Sequence, residues 1–222
     1  MYFTTKNAYL VKNETRNKTN TKNYELLKND FIIEATFKFI FDEKYNQHEF
    51  CVVGRTGYNM GIFTQGKDAV KWCWFEDING EKVYKDIFIY PVDNQKKMKI
   101  KVVKKGNTFT VYYNGELYSS IEITNLYDYS DQAIFIGVAN PYSDNESNYF
   151  WFNGEIDEVK IYHDSVETED NLYLWFNFVK NTQFKTFDKS GNGNHGEIYE
   201  TREFKEMKNI EFNKLARPAK IV

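Results

Sequence analysis

Three groups of residues combine types and spacing that could do chemistry. The first is Glu155-Ile156-Asp157-Glu158-Val159. Side chains alternate along a β-strand, so positions 155, 157 and 159 share one face. Carboxylates at that spacing can supply the nucleophile and the general acid of a retaining glycosidase. Position 159 is Val, however, and alternation sends Glu158 to the opposite face. The strand cannot assemble one carboxylate for each catalytic role, so hydrolysis is not expected and no catalytic residue is assigned. His48, His163 and His195 have no Ser or Cys at a nucleophile–base spacing to replace it.

The second group is Asp188-Lys189-Ser190-Gly191-Asn192-Gly193, with oxygen-bearing side chains at the first, third and fifth positions and Gly at the sixth. That is how an EF-hand-like calcium loop opens. The twelfth position, which should be a bidentate Glu, is Tyr199, and Glu200 comes one residue late. The expectation is a structural Ca²⁺ with Asp188 and Asn192 among its ligands. The third group could hold a sugar, which needs a ring for the apolar face of a pyranose and amides or carboxylates for its hydroxyls. Arg55, Tyr58 and Asn59 qualify, as do Trp72 and Trp74 on one face of their strand, and Tyr142, Asp144 and Asn145 in the polar stretch Asn140 to Asn148. Each has a plainer reading: two tryptophans on a strand often belong to the core, and Arg55 can pair within the fold.

The elements that must position these residues are strands. Apolar residues recur with period two in Phe31–Phe41, Glu49–Val53, Met60–Phe63, Val70–Phe75, Val83–Tyr90, Met98–Val103, Thr108–Tyr113, Glu116–Ile123, Ala133–Val138 and Gly154–Tyr162. Asn79-Gly80, Gly106-Asn107 and Asn114-Gly115 are turn signals between them. A single helical turn is expected near Ser165–Asn171, with Ser165 as its cap. Many short strands without helices predict an all-β fold, a two-sheet antiparallel β-sandwich or jelly roll. Cys51 and Cys73 lie in strand-like runs and read as small buried hydrophobes, a bridge between neighbouring strands being the alternative.

The 222 residues fit one large domain or two small ones. Lys and Arg total 29 against 32 Asp and Glu, a net charge of −3, which argues against nucleic-acid binding by bulk charge. No apolar run reaches the roughly 18 residues of a membrane-spanning helix, so no membrane insertion is expected. The first residues show no secretory signal. Aromatic residues make up 18% of the chain, enough rings to fill a sizeable core despite the polar average.

Three segments together resemble the concanavalin A-like lectin/glucanase superfamily in its laminin-G-like branch. They are Asn29–Phe39, the Val111–Leu117 hairpin with Ile134–Gly137, and Phe152–Tyr162, so the resemblance spans about residues 29–163. It implies a concanavalin A-like sandwich that recognises a glycan or glycoconjugate, an extracellular or surface location, and a place among the other domains of a longer parent chain. Laminin-G-like modules that adhere to proteins are the alternative. Residues Leu172–Phe178 and Phe187–Gly196 resemble the segment that begins such a domain, while Met1–Leu10 looks like the strand that follows it. Residues 1–222 are therefore expected to form one sandwich, completed by the tail 172–222. The alternative is a domain over 1–163 with a second repeat starting at 172.

Overall fold

The computed structural model describes residues 2–3, 7–11, 29–41, 49–55, 60–127, 134–137, 152–178, 185–186, 188–193 and 196–200. In chain order the strands are β1 (Tyr2–Phe3), β2 (Asn7–Val11), β3 (Phe31–Phe39), β4 (Glu49–Arg55), β5 (Gly61–Gln65), β6 (Ala69–Ile78), β7 (Glu81–Ile89), β8 (Met98–Lys105), β9 (Thr108–Tyr113), β10 (Glu116–Glu122), β11 (Ile134–Ile136), β12 (Gly154–Tyr162), β13 (Leu172–Asn177), β14 (Lys185–Thr186) and β15 (Gly196–Glu200). They form two antiparallel sheets. One runs β1-β12-β3-β8-β9-β10, with β13 also on β12; the other runs β14-β15-β2-β11-β4-β5-β6-β7. The expected all-β sandwich is what the chain adopts.

Alternation builds the core. Phe31, Ile33, Ala35, Phe37 and Phe39 of β3 point inward, as do Met98, Ile100 and Val102 of β8 and Val70, Trp72 and Trp74 of β6. The intervening Glu34, Lys99 and Lys101 lie on the outer face, where Lys99 pairs with Glu34 at 2.8 Å. Rings lock the two sheets together: Phe109 of β9 meets Trp72 and Trp74 of β6 edge-on at 5.4 and 5.0 Å.

Two irregularities change which face a residue occupies. In β4 a register shift between Cys51 and Val53 lets Val52 and Val53 both enter the main core, while Cys51 joins Phe63 and Cys73 in a small cluster of their own. In β12 a shift between Ile156 and Glu158 places a bulge at Asp157. Inward-facing residues are then Ile156, Val159 and Ile161.

Residues of the tail extend both sheets. β13 pairs with Glu158–Tyr162 of β12, on the edge whose first residues, Gly154 and Glu155, pair with β1. β15 pairs with β2 from Gly196↔Val11 to Glu200↔Asn7. Leu174, Phe176 and Phe178 are buried in the same core as β3 and β6.

Two expectations need correction. The segment Ser165–Asn171 forms bends and a turn, not a helical turn. Asn171 N donates to Thr168 O at 3.2 Å, closing a turn just before the chain must extend into β13, and Ser165 Oγ reaches Asp30 rather than capping. Cys51 and Cys73 are not on neighbouring strands, because β5 lies between β4 and β6, and no disulfide joins them. Strands sit about 4.8 Å apart, so two cysteines separated by an intervening strand exceed disulfide reach.

Candidate ligand-binding face

The hairpin of β6 and β7 carries a ring-rich surface. Its turn is Asn79-Gly80, both with positive φ (56° and 83°), and Asp77 Oδ1 accepts the Gly80 N–H at 2.8 Å. That two-residue turn fixes the register: Phe75 faces Tyr84, Cys73 faces Asp86 and Lys71 faces Phe88. Odd positions of β6 and even positions of β7 therefore share the outer face.

On that face Phe75 and Tyr84 meet edge-on at 5.3 Å. Lys71 is only 2% exposed, and its Nζ donates to Tyr84 Oη at 2.8 Å while lying 5.7 Å from the centroid of Phe88. Lys82 sits 4.2 Å over Phe75 and 4.8 Å over Tyr127, and burial lowers its pKa below the ordinary value of 10.5. Tyr84 (36%) and Phe88 (45%) present ring surface to solvent. Exposed rings beside an ammonium and the half-buried carboxylate of Asp86 are what an apolar sugar face and its hydroxyls require.

Trp72 and Trp74 are a correction. Both are 0% exposed and lie in the inter-sheet core, so neither offers a face to a pyranose. The rings that reach solvent, Tyr84 and Phe88, lie on the opposite face of this hairpin. Arg55 ends β4 opposite Ile134, and its side chain lies outside the described residues. Tyr58, Asn59, Tyr142, Asp144 and Asn145 also lie outside the described residues.

The β12 carboxylates are tied to cations. Lys97 Nζ is 2.7 Å from Asp157 and 3.9 Å from Glu155. Because of the bulge, Glu158 pairs with outward-facing Thr36 rather than pointing to the opposite face. It accepts the Trp175 Nε1–H at 2.7 Å and pairs with Lys160 at 3.1 Å. Val159 is buried in the core, so a carboxylate there would have no solvent.

At the tail turn Asp188 and Asn192 do come together, as a hydrogen-bonded knot. Asp188 Oδ1 accepts from Trp175 N and Ser190 N at 2.9 Å, and Oδ2 accepts from Ser190 Oγ at 2.7 Å. Asn192 uses its amide nitrogen, donating to Leu172 O and Tyr173 O at 2.7 and 3.1 Å. Ca²⁺ takes six to eight oxygens. Among the described residues this turn supplies a single carboxylate, that of Asp188, and no group of three His, Cys, Asp or Glu side chains.

Sequence reasoning missed Lys71, Phe75, Lys82, Tyr84, Asp86, Phe88 and Tyr127. Counting outward from Asn79-Gly80 would have paired 75 with 84 and 71 with 88. Parity alone could not say which side of β6 met the other sheet.

The sandwich and its motifs define a class. A family model described as the concanavalin A-like lectin/glucanases superfamily matches residues 16–170, and the chain belongs to that superfamily. No curated protein matches it. Among solved structures it is similar to the CBM40 of a Ruminococcus gnavus IT-sialidase bound to alpha2,6 sialyllactose, at 12% identity over 76% of this chain and 93% of that one, TM-score 0.53. The same module bound to alpha2,3 sialyllactose gives 12% identity, 76% and 92% coverage, and TM-score 0.52. The botulinum neurotoxin serotype D binding domain is more distant, at 18% identity over 65% of this chain and 36% of that one, TM-score 0.43. At these identities the likeness is one of fold.

Proposed function

We propose that this chain is a non-catalytic carbohydrate-binding module that presents the outer face of β6 and β7 to a glycan. The observation that carries this is the cluster of partly exposed Tyr84 and Phe88 with Phe75, Lys82 and Asp86 on one sheet face. Membership of a superfamily of lectins and glucanases supports it. The CBM40 neighbours are described as bound to sialyllactose, which makes a sialylated glycan the first ligand to try. Arg55, Tyr58, Asn59, Tyr142, Asp144 and Asn145 stay in the proposal as further sugar contacts. The module serves a larger surface or glycan-processing protein.

The test is a glycan array followed by calorimetry, with both sialyllactose isomers included. Phe88→Ala and Tyr84→Ala are each expected to weaken a hit by up to about tenfold, since a ring contact is worth about 0.5–1.5 kcal/mol. Phe88→Ala should leave thermal stability nearly unchanged, whereas Tyr84→Ala also lowers it by removing the hydroxyl that the buried Lys71 ammonium bonds. A hit unaffected by either variant would remove the ring face from the proposal. A second reading, protein adhesion, is favoured by exposed Leu117, Tyr118 and Ile121 on β10 beside Tyr90, whose N–H meets Tyr118 Oη at 3.2 Å. A blank array together with self- or partner association lost on Leu117→Asp would favour it.

A further inference from the structure

A second feature lies on the other sheet, where β3 begins, the β8–β9 hairpin turns and β12 ends. There a pocket of about 480 Å³ is lined by Asn29, Asp30, Lys104, Asn107, His163 and Asp164. We propose that this pocket binds a vicinal diol of a sugar ring, as a second carbohydrate contact separate from the β6–β7 face. The proposal takes its class of molecule from the carbohydrate reading but rests on different residues.

Lys104 supplies the main reason. Its side chain is 8% exposed, yet the ammonium donates one hydrogen bond, to Gly106 O at 3.0 Å, and stands 3.9 Å from Asp30 Oδ1, beyond hydrogen-bond length. An ammonium has three N–H groups, and leaving them unpaired while buried is costly. Burial accordingly lowers the Lys104 pKa, with Asp30 opposing the shift. The acceptors are also incompletely used. Asp30 Oδ1 holds Gly106 N at 2.7 Å, while Oδ2 has only a long contact of 3.4 Å with Ser165 Oγ. The hydrogen bonds of Asp164 fall on Oδ1, from Ser165 N and Oγ.

The mixed signs of the lining choose the ligand. A carboxylate would be repelled by Asp30 and Asp164, and an ammonium by Lys104. A hydroxyl both donates and accepts, and two adjacent hydroxyls can accept from Lys104 while donating to the aspartates. Among the described lining residues there is no Phe, Tyr or Trp to stack on a sugar face, so hydrogen bonds dominate and the affinity is on the order of millimolar, as for a monosaccharide at modest energy per atom.

The experiment is a ¹H–¹⁵N NMR titration of the full chain with the methyl glycosides of glucose, galactose and mannose, and with their per-O-methylated forms, which accept but cannot donate. Saturable shifts of the Asp30, Gly106, Asn107 and Asp164 amides with at least one free glycoside, absent with its methylated form, are expected. Lys104→Met and Asp164→Asn should each weaken them at least tenfold; if Lys104→Met does not fold, Asp164→Asn decides. Phe88→Ala should leave them in place, and if that variant loses array binding while keeping these shifts, only the two sites' independence is reinforced. No shift with any of the three glycosides, equal shifts with the methylated forms or with acetate, or shifts unchanged in Asp164→Asn would overturn the diol pocket and leave the β6–β7 reading untouched.

Discussion

Trp72 and Trp74 stand two residues apart on one strand, equally buried, but only one indole N–H is satisfied. Trp74 Nε1 donates to Glu76 Oε1 at 3.1 Å, whereas Trp72 Nε1 has no partner among the described residues. Replacing either by Phe removes similar volume, but at position 74 it also strips a partner from a buried carboxylate. Trp74→Phe is expected to cost about 1–3 kcal/mol more than Trp72→Phe in urea unfolding; equal costs would show that the Trp74–Glu76 bond adds nothing. The thiol of Cys51 is pushed well above 9.0, first by burial and then by neighbouring Cys73. Its folded pKa is raised, so above pH 9.0 the unfolded chain releases the proton while the folded chain keeps it. Stability is therefore expected to fall as pH rises past 9.0, and iodoacetamide at that pH should label Cys51 only after denaturant is added. Labelling of the folded protein would refute its burial.

At the scale of elements, turns and crossings decide what each strand can present. Gly115 closes the β9–β10 turn with φ of 91° and open space beside it. Gly154 opens β12 with φ of 151°, and a Cβ there would run into Lys38 O on β3. Ala at 115 should cost about 1–2 kcal/mol through backbone strain alone. Ala at 154 should cost clearly more, since the clash is with backbone that cannot move without parting β12 from β3. Thermal melts of the two variants provide the comparison. The Asp188 knot ties β13 to its following turn through hydrogen bonds, so EDTA is expected to leave the melting temperature unchanged. A fall on chelation, reversed by calcium, would restore the ion to that turn. The β12 bulge shows how little separates two chemistries: one extra residue turns Val159 inward and Glu158 outward, where Lys160 and Trp175 hold it.

For the whole molecule, the tail carries the sharpest expectation. Leu174 and Phe176 are fully buried in the core that β3, β6, β8 and β12 also line, and β13 and β15 pair with β12 and β2. A chain ending at residue 163 is expected to lose cooperative unfolding and to aggregate through its opened core and bared edges; a soluble, cooperatively melting 1–163 would instead favour a separate repeat after 172. Much of this architecture was legible in the sequence. Period-two alternation marks β3, β8 and β9, and Asn79-Gly80 and Asn114-Gly115 mark two hairpins, because strand pleat and turn chirality are local properties of the backbone. The Gly154–Tyr162 strand was legible too, but not its bulge, since an extra residue is accommodated by the partner strand and leaves no local mark. Alternation likewise showed that β6 has two different faces, Trp72 with Trp74 and Lys71 with Phe75. Which of them the other sheet would cover was decided only by packing, through Phe109 arriving from β9. The Lys104 pocket was invisible for the same reason: Asp30, Lys104 and Asp164 are distant in sequence, and only the closing of β3, β8 and β12 into one sheet brings them to a common rim.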